Sequence, residues 1–442
     1  MDNFDVAVVG AGFAGLVAAL AAAQSGARVV MFEGGARPGG NARIAAGMFI
    51  ATESTDALHA YIPDGDPALQ RLFVETYPQV IDFLESHGLP VGPLEHLGNA
   101  RVVRPMALGA AGARGEFVDR LIARVLGAGV RIESGNPVMN VSPEKGAYRI
   151  DPQGVHARRV ILATGGFAAN PALLAEFMGP GAQYLRRRSL DGAGGSGLRV
   201  ARSLGAALAG DMAAYYGHTM ADCPLDQSLW QPLTPYFARL GVLVDRTGRR
   251  FTDESISFLE ESNPQAATRS AIDRYWLLFD ERIRLGDGVD IGIAHRLDWL
   301  EAARAVGAPV VIAQTLDELI KCLAVDGVDP HGLRAELAAY HAAIRQGTSA
   351  ALQPPRSAQP LVLDRPPYYA LRCVAGVTAT CGGVAIDSLC RVLPAQGEGK
   401  VIPGLYCAGV DAGGIFGRTY GGFLSWCAVS GYRAGLSAAQ SA

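Results

Sequence analysis

The 442-residue sequence has no excess charge of either sign: 39 Lys and Arg stand against 42 Asp and Glu, for a net charge of −3. That balance gives no electrostatic footprint for nucleic acid or for an anionic membrane. Charged residues are only 18% and apolar residues 49%, which excludes a disordered chain. Cysteine is sparse and scattered, at 223, 322, 373, 381, 390, 407 and 427, with no C-x-x-C pair and no Cys/His cluster. No metal site is therefore readable, and the odd count points to free buried thiols in a reducing cytoplasm. Long uncharged stretches are also lacking, except Val6 to Ala27. Asp2 and Asp5 precede that stretch, where an export signal carries Lys or Arg, and four glycines interrupt it. A buried strand, turn and helix account for it, and no membrane span is expected.

Glycine is what the chain has in plenty: 55 residues, about 12% against a usual ~7%. Phe4 to Val9 is an apolar run suited to a buried parallel strand. Gly10-Ala11-Gly12-Phe13-Ala14-Gly15 follows at once, then an alanine-rich helix to about Ser25, then a second strand over Arg28–Phe32 ending at Glu33. This is a dinucleotide-binding unit. Gly10 permits the tight turn, Gly12 the approach of backbone to a pyrophosphate, and Gly15 close helix–strand packing. The helix N-terminus offers free N–H groups to phosphate. Glu33, placed 18 residues after Gly15, can accept both hydroxyls of an adenosine ribose. Ala14 and Gly34 complete the candidate contacts of this turn. A glycine-rich loop, Arg37 to Met48, continues past the acid where a simple NAD enzyme enters its next helix. It can lie along the far half of an extended cofactor, which means FAD.

With these residues and five further segments the chain resembles the flavoprotein family of fumarate reductase and succinate dehydrogenase. Its smaller members include 3-ketosteroid and tricarballylate dehydrogenases. Gly39-Gly40-Asn41 and Ala45-Ala46-Gly47-Met48 are similar to the flavin-wrapping loop. Arg159 to Phe167, with Ala163-Thr164-Gly165 inside it, resembles the second strand and turn at the cofactor, and Asp191 to Leu198 a glycine turn before a helix. Gly248-Arg249-Arg250-Phe251-Thr252-Asp253-Glu254 resembles the cap signature GxRFxxE, with Glu254 expected to bond within that loop. Gly382 to Asp387 resembles the GGxxID strand, and Pro403 to Gly409 the closing PGLYxAG motif. The resemblance implies FAD contacts at Gly39, Gly40, Asn41, Ala45, Gly47, Val138, Ala163, Thr164, Gly165, Gly409, Gly422 and Phe423. Asp411 is a candidate for a ribityl hydroxyl, although many relatives carry Glu where Val410 stands. The Gly39–Gly47 loop holds no histidine, so the FAD is expected to be noncovalent.

The expected fold is α/β, a Rossmann-like FAD domain interrupted by an inserted α+β cap. We expect residues 1–212 and 358–442 in the FAD domain and 213–357 in the cap, with Gln346 to Pro360 as return linker. Arg131–Ser134, Pro137–Val141 and Tyr148–Ile150 suggest a small sheet within the first part. The Arg186-Arg187-Arg188 run does not suggest a strand, and no second nucleotide domain is apparent.

Members of this family move a hydride at a CH–CH bond next to a carbonyl. His218 follows Asp211-Met212 as the carboxylate-binding histidine does in fumarate reductases. The position of their proton-donating arginine, seven residues past Phe251, is Phe258 here, and Val377 to Cys381 replaces a histidine pair. Both departures argue against fumarate or succinate. Gly417-Arg418-Thr419-Tyr420-Gly421-Gly422 instead resembles the ketone-polarising turn of 3-ketosteroid dehydrogenases. Tyr420 is thus the candidate for the substrate carbonyl, Arg418 for a carboxylate, and Tyr236 for a base or lid. The expected reaction is α,β-desaturation of a cyclic ketone or keto acid. Ene reduction, an oxidase or hydroxylase, and a flavin-binding subunit without catalysis remain open. The expected partners are a small carbonyl substrate and oxygen, quinone or a redox protein as electron partner.

Overall fold

A computed structural model describes residues 3–96, 101–105, 113–224, 230, 233–256, 261–287, 299–397 and 399–440. The chain forms two compact units, one of residues 1–174, 189–215 and 379–442, the other of residues 175–188 and 216–378.

The first unit is built on a sheet of seven strands among the described residues. Asn3–Val9 lies at its centre, parallel to Val29–Glu33 on one side and Val155–Leu162 on the other. Val6, Ala7 and Val8 are wholly buried, as a strand covered on both faces requires. Arg131–Ser134 extends the sheet in parallel beside Val29–Glu33. Asn140–Glu144 and Ala147–Asp151 form an antiparallel hairpin at the opposite end. The three segments expected to make a small sheet are therefore split between the two edges of the main one. Leu405–Cys407 returns from the far end of the chain to pair with Val160–Leu162.

The helix Phe13–Gln24 is buried on every face over its first ten residues. Such an all-apolar helix needs neighbours all round, and the last helix, Phe423–Gln440, supplies one. Side chains at Gly431 and Gly435 would collide with the carbonyl oxygens of Ala14 and Ala18, so the two backbones approach closely. Gly26, at φ +89°, ends the first helix.

The second unit centres on the long strand Tyr368–Thr380. Its first half pairs with Tyr275–Asp280 on one side and Val310–Ala313 on the other. Arg186–Arg187 adds in parallel at Gly376 and Val377, so the arginine run does form a short strand. Tyr215–Ala221 also pairs with the long strand, and Val242–Val244 pairs with Tyr275–Asp280. The return to the first unit falls after Thr378 rather than within Gln346–Pro360. The reason is this pairing, which holds the segment past the linker in the second sheet.

Glu254 organises a buried charge cluster here. Arg250 donates to both its oxygens, at 3.0 and 2.6 Å, and Arg356 donates at 3.2 Å; all three side chains are fully buried. The second positive charge is met by carbonyls: Arg250 also reaches Pro354 and Pro355, and Arg356 reaches Arg239 and Gly241. Glu254 also accepts from the Leu243 N–H, so the signature loop is tied to the sheet.

Among the described residues no helix is long and apolar enough to cross a membrane. No cluster of His, Cys, Asp and Glu there could hold a metal ion. All seven cysteines are free; Cys322 is exposed and Cys223 and Cys427 half-buried, so the thiols are not uniformly buried.

Candidate active site

The first turn of the first unit sorts its glycines by what surrounds them. A side chain at Gly10 would strike the Ala163 carbonyl, and one at Gly15 would strike the Gly10 carbonyl. Both are explained by protein packing. Gly12 is not, because a Cβ there meets nothing within 4 Å, and its φ of −73° suits any residue. Among the described residues no side chain caps the helix behind Gly12, so its first N–H groups and positive dipole end are not met by a capping side chain. An uncapped N-terminus beside a glycine that no protein atom requires fits a pyrophosphate.

The surrounding groups fit the rest of a dinucleotide. Glu33 is half-buried at the end of its strand and accepts from the N–H groups of Ala11 and Gly35, at 3.0 and 2.7 Å. These bonds aim the carboxylate along the turn. The following loop is stitched back on it: the Gly39 N–H donates to Ala11 at 2.7 Å, and Gly40 packs against Gly12. Gly34 is exposed and lies against Pro137, with buried Val138 next in the chain. Asn41 accepts from the Leu190 N–H at 2.7 Å. Gly47, at φ +77°, turns the loop beyond half-buried Ala45 into a strand. Buried Ala14 lies under Gly409, whose own N–H donates to Ser430. Gly422 presses on the Ile50 backbone just ahead of Phe423 and the last helix.

Asp411 is tied to the second turn. It is 1% exposed, and its carboxylate accepts from the N–H groups of Thr164 and Gly166 and from the Thr164 hydroxyl. Burial raises its pKa, opposed by those hydrogen bonds. These bonds shape the Ala163–Gly166 turn. Gly165 in that turn has open space where a side chain would be.

The catalytic candidates divide between the units. In the first, Tyr420 is 9% exposed and sits with Phe416 and Phe423, whose rings lie 6.3 and 5.8 Å away. Arg418 is exposed, donates to Asp211 at 2.9 Å, and its N–H donates to Asp64.

In the second unit His218 is wholly buried on the strand Tyr215–Ala221. Tyr216, two residues earlier and so on the same face, puts its hydroxyl 2.9 Å from Nε2. The Tyr236 ring stands edge-on at 5.2 Å. Burial, reinforced by the Arg188 charge, holds the imidazole pKa well below its usual value, so His218 is neutral. Arg188 is a group that sequence reasoning missed. Its guanidinium donates to the Thr378 hydroxyl at 3.1 Å and the Tyr236 hydroxyl at 3.3 Å. The only sequence signal was the arginine run itself. The Phe258 position lies outside the described residues.

A family described as an FAD binding domain matches residues 5–422. A fumarate reductase (cytochrome) of Shewanella frigidimarina is 29% identical, over 99% of this chain and 77% of its own length. A 3-oxosteroid 1-dehydrogenase of Mycobacterium tuberculosis is 27% identical over 80% of this chain and 62% of its own. Among solved structures, a 3-ketosteroid-Δ4-(5α)-dehydrogenase from Rhodococcus jostii shares the fold, with a TM-score of 0.74 at 22% identity, over 99% of this chain and 97% of that one. With the turn built for a dinucleotide, these findings place the chain in the FAD binding domain family, as an FAD-dependent oxidoreductase of the fumarate reductase and ketosteroid dehydrogenase group acting on CH–CH bonds.

Proposed function

We propose that the chain desaturates a cyclic ketone or keto acid at the CH–CH bond next to the carbonyl. The observation that carries this reading is the buried Tyr420 in the turn entering the last helix. Its hydroxyl polarises the substrate carbonyl and so acidifies the adjacent C–H. The helix N-terminus beyond it favours negative charge nearby. The steroid-dehydrogenase relative supports oxidation of a cyclic ketone. Bound FAD supplies the hydride acceptor.

The FAD is held noncovalently by Gly12, Glu33, Gly39, Gly40, Thr164, Gly165 and their neighbours in those turns. Electrons leave to oxygen, a quinone or a redox protein, and seven free thiols suit the cytoplasm. Ene reduction on the same scaffold is the second reading, favoured by the fumarate reductase relative.

The test is anaerobic flavin absorbance of the holoenzyme. Saturated cyclic ketones should bleach it, and Tyr420→Phe should slow bleaching about 10²–10³-fold. Reoxidation of the reduced enzyme by enones, with no bleaching by ketones, would reverse the assigned direction. Equal rates in Tyr420→Phe would remove the tyrosine from its role.

A further inference from the structure

The segment that carries Tyr420, residues 413–422, belongs to no helix or strand. Gly413, Gly414, Gly417, Gly421 and Gly422 fall within it, so its backbone is conformationally free. A hydroxyl that polarises a carbonyl must be held within about 0.5 Å of its working position. Contacts from outside the segment must therefore fix it.

Ile62–Asp66, in the same unit, grips the segment along its length. The Asp66 N–H donates to the Gly414 carbonyl at 2.7 Å. A side chain at Gly65 would strike the Ile415 carbonyl. The Asp64 carboxylate accepts from the Arg418 N–H at 3.0 Å. It also fills the space of a Gly417 side chain, since a Cβ there would stand 1.9–2.1 Å from its atoms. A side chain at Gly421 would meet Ile62 at 2.9 Å. The Asp64 bond thus lies two residues before Tyr420, and the Ile62 contact one residue after it.

The gripping loop is itself fixed. Gln70, wholly buried, donates from its side-chain amide to the Ile62 carbonyl at 2.7 Å. Asp66 caps the helix Pro67–Ser86 through the N–H groups of Ala68 and Leu69.

We infer that Asp64 is a positioning residue, whose carboxylate sets the Gly417–Gly421 turn and so the place of the Tyr420 hydroxyl. This rests on the proposed role of Tyr420. Asp64 is exposed and reaches the turn through its backbone, so its loss leaves the core intact. Its bond is charge-assisted, and an amide in its place keeps an acceptor oxygen without the charge.

The test uses FAD-loaded full-length protein with Asp64→Ala, Asp64→Asn, Tyr420→Phe and the double variant Asp64→Ala/Tyr420→Phe. Amide exchange at Arg418, resolved by fragmentation mass spectrometry, needs no substrate. Asp64→Ala should speed it at least about 10-fold, the loss of one charge-assisted hydrogen bond. Asp64→Asn should keep part of the protection. Anaerobic flavin bleaching is then followed with cyclohexanone, 4-oxocyclohexanecarboxylate and a saturated 3-ketosteroid. Asp64→Ala should slow it about 10–100-fold, with the flavin spectrum and melting curve of the wild type retained. The slowing should vanish in the Tyr420→Phe background, because misplacing a hydroxyl has no effect once it is gone. Unchanged exchange in Asp64→Ala overturns the proposal. So does faster exchange with bleaching at the wild-type rate, or a slowing that persists without the Tyr420 hydroxyl. If no ketone bleaches the wild type, the desaturation reading fails by itself, and reoxidation of the reduced enzyme by cyclohexenone supplies the rates for the same comparison. If cyclohexenone also fails to react, the role of Tyr420 falls, and the exchange result alone decides whether Asp64 sets the turn.

Discussion

Gly12 and Gly15 lie three residues apart in one turn, yet they are glycine for different reasons. At Gly15 the obstacle to a side chain is the Gly10 backbone; at Gly12 there is no protein obstacle at all. Gly15→Ala should therefore destabilise even the FAD-free protein, by about 1–3 kcal/mol through overpacking. Gly12→Ala should leave the FAD-free protein as stable as the wild type. Its FAD affinity should fall about 10–100-fold, the equivalent of one charge-assisted hydrogen bond. Melting of the stripped proteins and titration with FAD separate the two. A Gly12→Ala protein that melts early without FAD would show that packing, not the ligand, selects that glycine.

At the scale of elements, the signature loop and the linker segment beyond it are joined through one carboxylate. Glu254 holds Arg250 on its own loop and Arg356 from the segment after the helix Pro330–Arg345, all without solvent. Removing it strands two buried cations. Glu254→Ala should cost about 3–5 kcal/mol in urea unfolding, well beyond a surface ion pair. Its FAD absorbance when folded should be normal, because the cluster belongs to the second unit and holds none of the proposed FAD contacts. A cost below 1 kcal/mol would mean that the carbonyls around Arg250 and Arg356 suffice.

For the molecule as a whole, stability against pH carries the mark of the buried imidazole. The unfolded chain protonates His218 near pH 6.5, whereas burial and Arg188 keep it neutral in the folded state. The unfolded state then binds more protons, so stability falls as pH drops below about 6.5, by up to about 1.4 kcal/mol per unit from this group. His341 adds to this trend, and the raised pKa values of Asp411 and Glu336 oppose it. The difference between wild type and His218→Asn isolates the one contribution. That difference should shift against the wild type from pH 6.5 to 5; a constant difference would mean that His218 charges as readily folded as unfolded.

Local rules made much of this legible without coordinates. The Gly10–Gly15 turn, Glu33 at its strand end and the bonding of Glu254 within its own loop all rest on neighbours close in sequence or on fixed spacing. Hydrophobic runs likewise foretold the central strands. Pairing between distant segments was not legible, because the energy of a strand edge depends on which partner reaches it. Arg131–Ser134 and the hairpin 140–151 look alike as short strands, and only the sheet sends them to opposite edges. Nor does the sequence show that Thr164 and Gly166, far earlier in the chain, donate to the Asp411 carboxylate. Arg188 reads as one of three surface arginines until pairing of residues 186–187 with Gly376 and Val377 buries it beside Thr378 and Tyr236. The sequence by itself determined the nucleotide turn and the family, since those follow from backbone conformations that only certain residues permit. The tertiary structure alone decided which charges are buried without a partner, because desolvation is a property of everything packed around a group.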